Sequence, residues 1–380
     1  MDINELRKQI NDIDSDITEL FCKRMDIARM IAEYKKEHGM PVLDKNRERE
    51  LLASVSDMTP DRLKTYTGAL YASILSLSRS YQNNYIHKTN SISCSIRNAI
   101  EKTPNQFPKR AVVACQGVSG AYSEQACERL FATPEIMFFN NFESVFKAVR
   151  DGLCNYGILP LENSTAGSVN QVYDLMRKNR FCIVKSVKLK VSHCLLAKKG
   201  VNLSDIKEIY SHEQAINQCS GFIAEHGIKA NVCANTAVAA KLVALSDRND
   251  IAAVSSVKCA ELYGLDIIAS DIQNYSNNYT RFICISKNLE IYPGASKTSF
   301  MMTIPHIPGS LYSVISRFYA LGINLTKIES RPLPERDFEF MFYFDIECSV
   351  YSDELISLIN ELENDITSFV YLGSYSEESA

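Results

Sequence analysis

Apolar residues recur along the first 34 positions of the chain at intervals that alternate between three and four. This spacing places them on one side of an α-helix, as in a coiled-coil seam. No Gly or Pro occurs before Gly39, so the pattern predicts one continuous helix of on the order of 50 Å. Because such a helix exceeds the width of a small domain, we expect the seam to pack against a partner chain. The seam residues are Ile3, Leu6, Ile10, Ile13, Ile17, Leu20, Ile27, Ile31 and Tyr34.

The seam is interrupted by Arg24, a cation at a position where the repeat favours an apolar residue. A buried guanidinium without a partner is costly, so Arg24 needs an anion. One interpretation is a buried ion pair with an Asp or Glu of the protein. The other interpretation takes Arg24 together with Arg7 and Lys35, which lie beside the same seam. Three cations on or beside a buried face predict a pocket for a small molecule with several negative charges.

Two more helices are predicted before residue 86. Asp44 can cap a second helix over residues 45–58, and a third helix spans residues 62–85 after Pro60. Both carry polar side chains on the side that also carries their apolar residues. These polar residues are Asp44, Arg47, Glu48, Ser78 and Gln82.

From Ala111 onward, short apolar runs alternate with helical patterns, which predicts an α/β region in which strands lead into helices. Ser, Thr or Asn recurs where a predicted strand ends, and any one of them is most simply an N-cap. Together, several helix N-termini at strand ends would form a cleft rich in backbone N–H groups, which suits carboxylates. The spacing of Gly117 and Gly120 differs from the GxGxxG of a dinucleotide site, so we predict no nicotinamide and no other cofactor.

The last region begins near Lys297, and its predicted element order is βαββαβ. This order is typical of a ferredoxin-like domain, with an antiparallel sheet and two helices on one face.

Composition narrows the class of protein. The 380 residues carry a net charge of −4, which favours neither a nucleic-acid partner nor a membrane surface. No apolar run approaches the ~20 residues of a membrane span, and the N-terminus has no signal-peptide pattern. Twelve Cys occur without the Cys/His spacing of a zinc site. We interpret them as reduced, buried thiols and predict a cytoplasmic protein without a bound metal.

The spacing of polar residues in the three helices resembles the all-helical chorismate mutase domain fused to the dehydratase in bacterial P-proteins. The resemblance covers residues 1–88 and implies an all-α, three-helix domain in which two chains intertwine through the first helix. It implies that Arg7, supplied by the partner chain, binds substrate carboxylates with Arg24 and Arg47. It further implies that Lys35 and Gln82 donate to the ether oxygen of chorismate. Glu48, with Asp44 nearby, would hold the ring hydroxyl, and Ser78 would assist a carboxylate.

Five stretches of the α/β region look like the signature sequences of prephenate dehydratase: GVSGAYSE (117–124), PLENSTAGSV (160–169), YSHEQAINQC (210–219), NTAVAA (235–240) and NYTRF (278–282). This resemblance covers residues 110–288, after a linker at 89–109 with one short helix near 95–102. It implies a two-lobed fold similar to periplasmic binding proteins. Thr280 would donate a proton to the departing hydroxide, Arg281 would lie near a carboxylate, and Glu162 would orient its loop. The cleft would be lined by Asn163, Ser164, Thr165 and Gln214.

The stretches HIPGSLYS (306–313) and INLTKIESRP (323–332) resemble the ACT regulatory domain of the same enzyme, over residues 297–376. The resemblance implies that phenylalanine binds there as an effector, and the alternative is a purely structural dimerisation domain. The implied phenylalanine site comprises Gly309, Ser310, Leu311, Glu329, Ser330 and Arg331.

The three resemblances together imply a bifunctional enzyme of phenylalanine biosynthesis, with chorismate and prephenate as substrates and a homodimer or tetramer as its assembly. Two alternatives stay open. One is a phenylalanine-sensing binding protein with one live activity or none. The other is a dehydratase that prefers arogenate to prephenate.

Overall fold

A computed structural model describes residues 2–86, 91–333, 339–366 and 368–379. The chain divides into two compact units, Met1–Arg97 with Met302–Phe369 and Asn98–Met301 with Val370–Ala380. Within the described ranges, no helix combines the length and the apolar character that a membrane span requires.

The first unit begins with three helices where the sequence predicts them. They are α1 (Ile3–Glu37), α2 (Lys45–Met58) and α3 (Lys64–Ile86), and the short 3-10 helix Asp61–Leu63 leads into α3. After α1 the chain turns at Gly39, whose φ of +62° is a conformation that glycine adopts without strain. Asp44 caps α2 as predicted, because its Oδ1 accepts the backbone N–H groups of Asn46 at 3.1 Å and Arg47 at 3.0 Å.

The apolar seam of α1 is exposed within the single chain. Helix α1 contacts α3, and the residues that it buries are Ala28 and Ala32. By contrast, Ile10 is 56% exposed and Leu20 is 64% exposed. A continuous apolar line on a protein surface usually marks an interaction site. Packing of this seam against a partner chain stays a prediction.

The second unit contains two sheets with helices against them, as the alternating pattern predicts. Helix α4 (Ser91–Lys102) spans the boundary between the two units. The elements of the second unit that follow are β1 (Val112–Gln116), α5 (Tyr122–Leu130), β2 (Glu135–Phe139), α6 (Phe142–Arg150), β3 (Tyr156–Asn163), β4 (Gly167–Ser168), α7 (Asn170–Asn179), β5 (Cys182–Lys190), β6 (Cys194–Ala197), the 3-10 helix Leu203–Asp205, β7 (Glu208–Ser211), α8 (Glu213–Gln218), α9 (Ser220–Glu225), β8 (Lys229–Val232), α10 (Thr236–Leu245), β9 (Ile251–Ser255), α11 (Val257–Tyr263), β10 (Asp266–Ala269), β11 (Tyr279–Ser286) and β16 (Glu377–Ser379).

Each sheet of this unit has its own core, which produces two lobes. The strand order is β16-β5-β11-β3-β1-β2 in the seven-stranded sheet, where β4 pairs with β3, and β10-β6-β9-β7-β8 in the five-stranded sheet. Buried residues of the first sheet include Val113, Ile158 and Cys284, whereas Leu196 and Ala253 belong to a core of the second. The antiparallel pair β11 and β3 brings Thr280 opposite Asn163.

The remaining elements are β12 (Lys297–Ile304), α12 (Ser310–Ala320), β13 (Asn324–Pro332), β14 (Phe340–Glu347), α13 (Asp353–Asp365) and β15 (Phe369–Tyr375). They follow the predicted βαββαβ order, and the sheet order is β13-β14-β12-β15. Strands β13 and β14 are antiparallel, as expected.

Several details differ from the sequence-based expectations. The segment after residue 211 forms two short helices, α8 and α9, rather than one. The strand β16 was not predicted, because a short polar stretch has no apolar alternation. The cysteines are all free, but Cys22 and Cys94 are exposed, which corrects the expectation that every thiol is buried.

Candidate active sites

The first cavity lies among α1, α2 and α3 and has a volume of about 460 Å³. Seven of the eight residues that the sequence predicts for an anion pocket line it, and Arg7 does not. Its lining comprises Arg24, Ile27, Ala28, Ile31, Lys35, Val42, Asp44, Arg47, Glu48, Leu51, Leu75, Ser78, Arg79 and Gln82.

Arg24 extends into this cavity from the seam position. Its Nη1 is buried, and no atom of the described residues accepts a hydrogen bond from it. Nor does any carboxylate of the described residues form an ion pair with it, so the interpretation as an internal ion pair does not hold there. A buried guanidinium nitrogen without an acceptor requires an anion from outside the protomer.

Lys35 lies near two carboxylates and the carbonyl of Val42, to which its Nζ donates at 2.5 Å. Burial lowers the pKa of Lys35 below its ordinary value, while the charges of Asp44 and Glu48 act in the opposite direction. The ammonium group is therefore less strongly hydrated than that of a surface lysine.

Helix α3 contributes the neutral donors of the cavity. Ser78 and Gln82 are four residues apart and both buried, and Nε2 of Gln82 lies 3.3 Å from Oγ of Ser78. The Oε1 atom of Gln82 is buried without a hydrogen-bond donor. Arg79, which was not predicted from the sequence, donates to Glu48 at 2.5 Å and so fixes that carboxylate beside the cavity.

Two predicted residues are largely exposed. Arg7 lies on α1 outside the cavity lining, and its action in a partner's pocket stays a prediction. Arg47 lines the cavity, but its side chain is 73% exposed and its Nη1 lies 3.5 Å from Glu50.

The second cavity lies between the two lobes of the α/β unit and has a volume of about 410 Å³. Amide, hydroxyl and imidazole groups supply its polar surface. Its lining comprises Gln116, Gly117, Ala121, Tyr122, Ser123, Phe142, Pro160, Asn163, Val169, Val191, His193, His212, Gln214, Ala215, Gln218, Ala234, Asn235, Thr236, Thr280 and Phe282.

Asn163 holds the hydroxyl of Thr280 in this cavity. The Oδ1 atom of Asn163 accepts the backbone N–H groups of Thr165 at 3.1 Å and Ala166 at 2.9 Å. Because these donors fix Oδ1, the amide nitrogen must face the other way. It lies 2.9 Å from Oγ1 of Thr280 and 2.7 Å from Oδ1 of Asn278.

Gln218 and His193 complete this network, and neither was predicted from the sequence. Nε2 of Gln218 donates to Oγ1 of Thr165 at 2.8 Å, and its Oε1 lies 2.8 Å from Nε2 of His193. Burial lowers the pKa of His193, and its bond to Gln218 acts in the opposite direction. Gln218 comes one helical turn after Gln214, so the i+4 spacing was the available signal. Gln214 itself lines the cavity at the start of α8.

Helix α10 directs its N-terminus at the same cavity. Asn235 caps it by accepting the backbone N–H of Val238 at 2.8 Å, and both Asn235 and Thr236 line the cavity. This matches the expectation of a cleft edged by helix N-termini, which suit carboxylates.

Three predicted residues of the dehydratase region are absent from the cavity lining. Ser164 is exposed, and its hydroxyl donates to the carbonyl of Asn277 at 2.9 Å. The hydroxyl of Thr165 donates to Oδ1 of Asn163 and accepts a hydrogen bond from Gln218. Arg281 does not reach the cavity. Its side chain is only 3% exposed and its Nη1 lies 3.2 Å from Oε1 of Glu162, so the expectation that it contacts a substrate carboxylate needs correction.

The residues predicted to bind phenylalanine lie on two elements. Gly309 caps α12 with a φ of +84°, and Ser310 and Leu311 begin that helix. The other three lie on β13, where burial alternates along the strand: Glu329 and Arg331 are half-buried and Ser330 is exposed. Nζ of Lys327 lies 3.7 Å from Glu329.

The fold and the two cavities define a class of protein, one with two separate cavities of small-molecule size in different regions of the chain. One site is a cationic cavity among helices, and the other is a cleft of neutral donors between two α/β lobes.

Comparison with known proteins narrows this class. Residues 6–83 match the family model of chorismate mutase type II, and residues 113–290 match that of prephenate dehydratase. An Arabidopsis thaliana protein named arogenate dehydratase/prephenate dehydratase 2, chloroplastic, is 40% identical over 278 residues, which cover 70% of this chain and 73% of that protein. The bifunctional chorismate mutase/prephenate dehydratase of Escherichia coli (strain K12) is 28% identical over 381 residues, which cover 98% of this chain and 96% of that protein.

Among solved structures, the prephenate dehydratase from Arthrobacter aurescens in complex with L-Phe has a TM-score of 0.64 and 28% identity, with 70% of this chain and 90% of that chain covered. The chain therefore belongs to the prephenate dehydratase family. It also carries a type II chorismate mutase region ahead of the dehydratase region.

Proposed function

We propose that this chain is a bifunctional enzyme of phenylalanine biosynthesis. It converts chorismate to prephenate in the helical cavity and prephenate to phenylpyruvate in the cleft between the lobes. The observation that carries the proposal is that each cavity holds the side chains that one of these two consecutive reactions requires.

The first reaction is a unimolecular rearrangement, which needs neither a general acid nor a nucleophile. The protein has to hold chorismate in a folded shape and stabilise negative charge on the ether oxygen as its C–O bond breaks. Arg24 is suited to a substrate carboxylate because its Nη1 is buried and no atom of the described part of the chain accepts a hydrogen bond from it. Lys35 and Gln82 donate hydrogen bonds to the ether oxygen. Glu48, whose carboxylate is fixed by Arg79, accepts a hydrogen bond from the ring hydroxyl.

The second reaction expels carbon dioxide and hydroxide from opposite sides of the prephenate ring, and aromatisation drives it. Thr280 donates the proton that converts the departing hydroxide to water. A threonine hydroxyl is a weak acid, and the amide N–H of Asn163 makes it more acidic by donating to Oγ1. Since that oxygen already accepts a hydrogen bond, its own proton is free to point at substrate.

Binding of prephenate in the cleft relies on neutral donors. The lining contains neither Lys nor Arg, so the substrate carboxylates are held by the N-terminus of α10 and by side-chain amides. Gln214, Gln218 and Asn235 are the lining amides on the second lobe.

Arogenate is the second candidate substrate, since the Arabidopsis relative carries both dehydratase names. Arogenate has an ammonium group where prephenate has a ketone. The cavity lining contains neither Asp nor Glu to pair with that ammonium, which favours prephenate. Rates of phenylpyruvate and phenylalanine formation from the two substrates, measured side by side, decide between them.

The catalytic assembly is a homodimer through the seam of α1. An exposed apolar line of this length supports a partner helix, and Arg7 would then enter the partner's cavity. A tetramer would add a second contact through the βαββαβ region. The twelve free cysteines support a reducing compartment, for which we propose the cytoplasm.

The βαββαβ region acts as an ACT domain that binds phenylalanine for feedback inhibition. Its element and strand order supports this role, and a structurally similar prephenate dehydratase was crystallised with L-Phe.

The test is incubation of the protein with chorismate, with prephenate and phenylpyruvate followed over time. Prephenate should rise first and phenylpyruvate should follow, and added phenylalanine should slow the second step. Formation of neither product would refute both activities.

A further inference from the structure

Arg281 follows Thr280 on β11 and lies at the centre of a buried ionic cluster. Its Nε lies 2.9 Å from Oε2 of Glu377, and its Nη1 lies 3.2 Å from Oε1 of Glu162. Its Nη2 donates to the hydroxyl of Tyr375 at 2.6 Å. Each guanidinium nitrogen therefore has a carboxylate or hydroxyl oxygen close to it, and two of these groups belong to Tyr375 and Glu377.

Glu377 begins β16, which pairs in parallel with β5. Its side chain is 9% exposed and its Oε1 lies 2.7 Å from Nζ of Lys297 and 3.0 Å from Nζ of Lys188. Burial acts to raise the pKa of Glu377, but the hydrogen bond from Lys297 and the charge of Arg281 outweigh it and hold the pKa at about 2. Glu377 is thus a buried carboxylate that stays ionised.

A tight backbone approach fixes the path of the chain toward Glu377. Gly373, on β15, has a φ of +130°, and a Cβ at this position would lie 2.4 Å from the carbonyl oxygen of Ile183 on β5. Only glycine fits this contact. The chain after Gly373 therefore runs close to β5, and β16 pairs with β5 at the edge of the sheet that contains β11.

The cluster lies beside a register shift between β11 and β3. In the β11–β3 ladder Thr280 faces Asn163 and Arg281 faces Glu162, but Phe282 faces Pro160, so the register shifts directly after Arg281. The bulge leaves Leu161 of β3 unpaired, and a bulge bends the strand that contains it. On its other side β11 pairs with β5 without a register shift from Tyr279 to Cys284. Arg281 therefore lies where β3 bends away, and its buried ion pairs fix this part of β11 in addition to the β5 ladder.

We propose that Glu377 is a positioning residue of the dehydratase: through Arg281 it fixes the end of β11 and so holds the Thr280 hydroxyl in line with the substrate. This inference rests on the proposed dehydratase function. It assigns the short strand β16 a role in catalysis by the preceding α/β lobes.

Charge balance explains why the carboxylate matters. Among the ion pairs of the described residues, Glu377 contacts three cations, Arg281, Lys297 and Lys188, and Arg281 also contacts Glu162. Neutralising Glu377 removes the carboxylate that these three cations share. Because Arg281 and Lys297 are largely buried, solvent screens the remaining repulsion between them only weakly. Arg281 would shift toward Glu162, and its neighbour Thr280 would shift with it.

The test uses the full-length chain with Glu377→Gln, and Glu378→Gln as the matched control. Glu378 is the next residue of the same strand, and it pairs with Lys185 rather than with Arg281. For Glu377→Gln we expect kcat for phenylpyruvate formation from supplied prephenate to fall about 10- to 100-fold, because small misplacements of a catalytic group have effects of that size. KM should change less than threefold, mutase turnover should be unchanged, and Glu377→Asp should recover part of kcat.

A double-mutant comparison separates positioning from general stability. In an Arg281→Met background, Glu377→Gln should lower kcat by much less than in the wild type, because the path through Arg281 is already lost. Equal kcat for Glu377→Gln and Glu378→Gln, or the same loss in both backgrounds, would overturn the inference. An inactive wild type would instead refute the dehydratase function itself, so the two failures are distinguishable.

Discussion

The amide nitrogen of Asn163 lies 2.9 Å from Oγ1 of Thr280, on the neighbouring strand and directly opposite in register. Two backbone N–H groups fix the amide oxygen, so the nitrogen is oriented toward the hydroxyl before substrate arrives. This preorganisation is what a weak acid such as threonine needs to donate a proton.

Replacement of Asn163 by Asp tests this relationship. A carboxylate keeps the two backbone bonds but cannot donate to Thr280, and it would accept the hydroxyl proton instead. We expect kcat for dehydration to fall by on the order of 10²- to 10⁴-fold. The control is Asn141→Asp, the same change at the N-cap of α6, where Asp caps equally well. A dehydration rate within a factor of two of the wild type in Asn163→Asp would contradict the assignment.

Replacement of Gln82 by Glu tests the neutral donor of the mutase cavity. A carboxyl group donates to the ether oxygen only when protonated, and its ionised form repels the developing negative charge. Mutase turnover of Gln82→Glu should therefore be high at low pH and fall as pH rises through the pKa of the new carboxyl group, while the wild type stays flat there. Gln171→Glu, on the exposed side of α7, controls for the added charge. Matching profiles for Gln82→Glu and the wild type would exclude Gln82 from the reaction.

The alkaline limb of the pH profile of the mutase should reflect deprotonation of Lys35. Lys35 must be charged to donate, and burial lowers its pKa. We expect kcat/KM, which reflects the free enzyme, to fall as pH rises through a value below the ~10.4 of an exposed lysine. Activity is retained below that pH because the ammonium form is complete there. A profile that stays level up to the pKa of an exposed lysine would contradict a partly desolvated Lys35.

Charge placed in the α1 seam should separate the subunits. Ile10→Glu puts a carboxylate at an exposed seam position, whereas Asn11→Glu puts it on the adjacent, non-seam side of the helix. We expect Ile10→Glu to lose the dimer and most mutase activity, since Arg7 would come from the partner, and to keep dehydration of supplied prephenate. Sedimentation velocity and both rates check this. A dimeric Ile10→Glu with full mutase turnover would rule out the seam as the contact.

The sequence predicted the helical site better than the cleft, for physical reasons. Arg24 breaks a strict repeat, so its need for an anion is visible without a structure. Gln218 gives no such signal, because an amide on a helix is usually solvated and only the fold brings it to Asn163. Arg281 misled the prediction for the opposite reason. It adjoins Thr280 in sequence, but successive residues of a strand point to opposite faces, and its partner Glu377 is almost 100 residues away.

The central claim is that one chain holds two independent sites. The most direct measurement uses two full-length variants, Lys35→Ala and Thr280→Ala. Each variant is assayed once with chorismate and once with prephenate as the supplied substrate. Lys35→Ala should lose prephenate formation from chorismate and still convert supplied prephenate to phenylpyruvate, and Thr280→Ala should accumulate prephenate from chorismate. Loss of both reactions in either variant, with thermal stability unchanged, would contradict the two-site account.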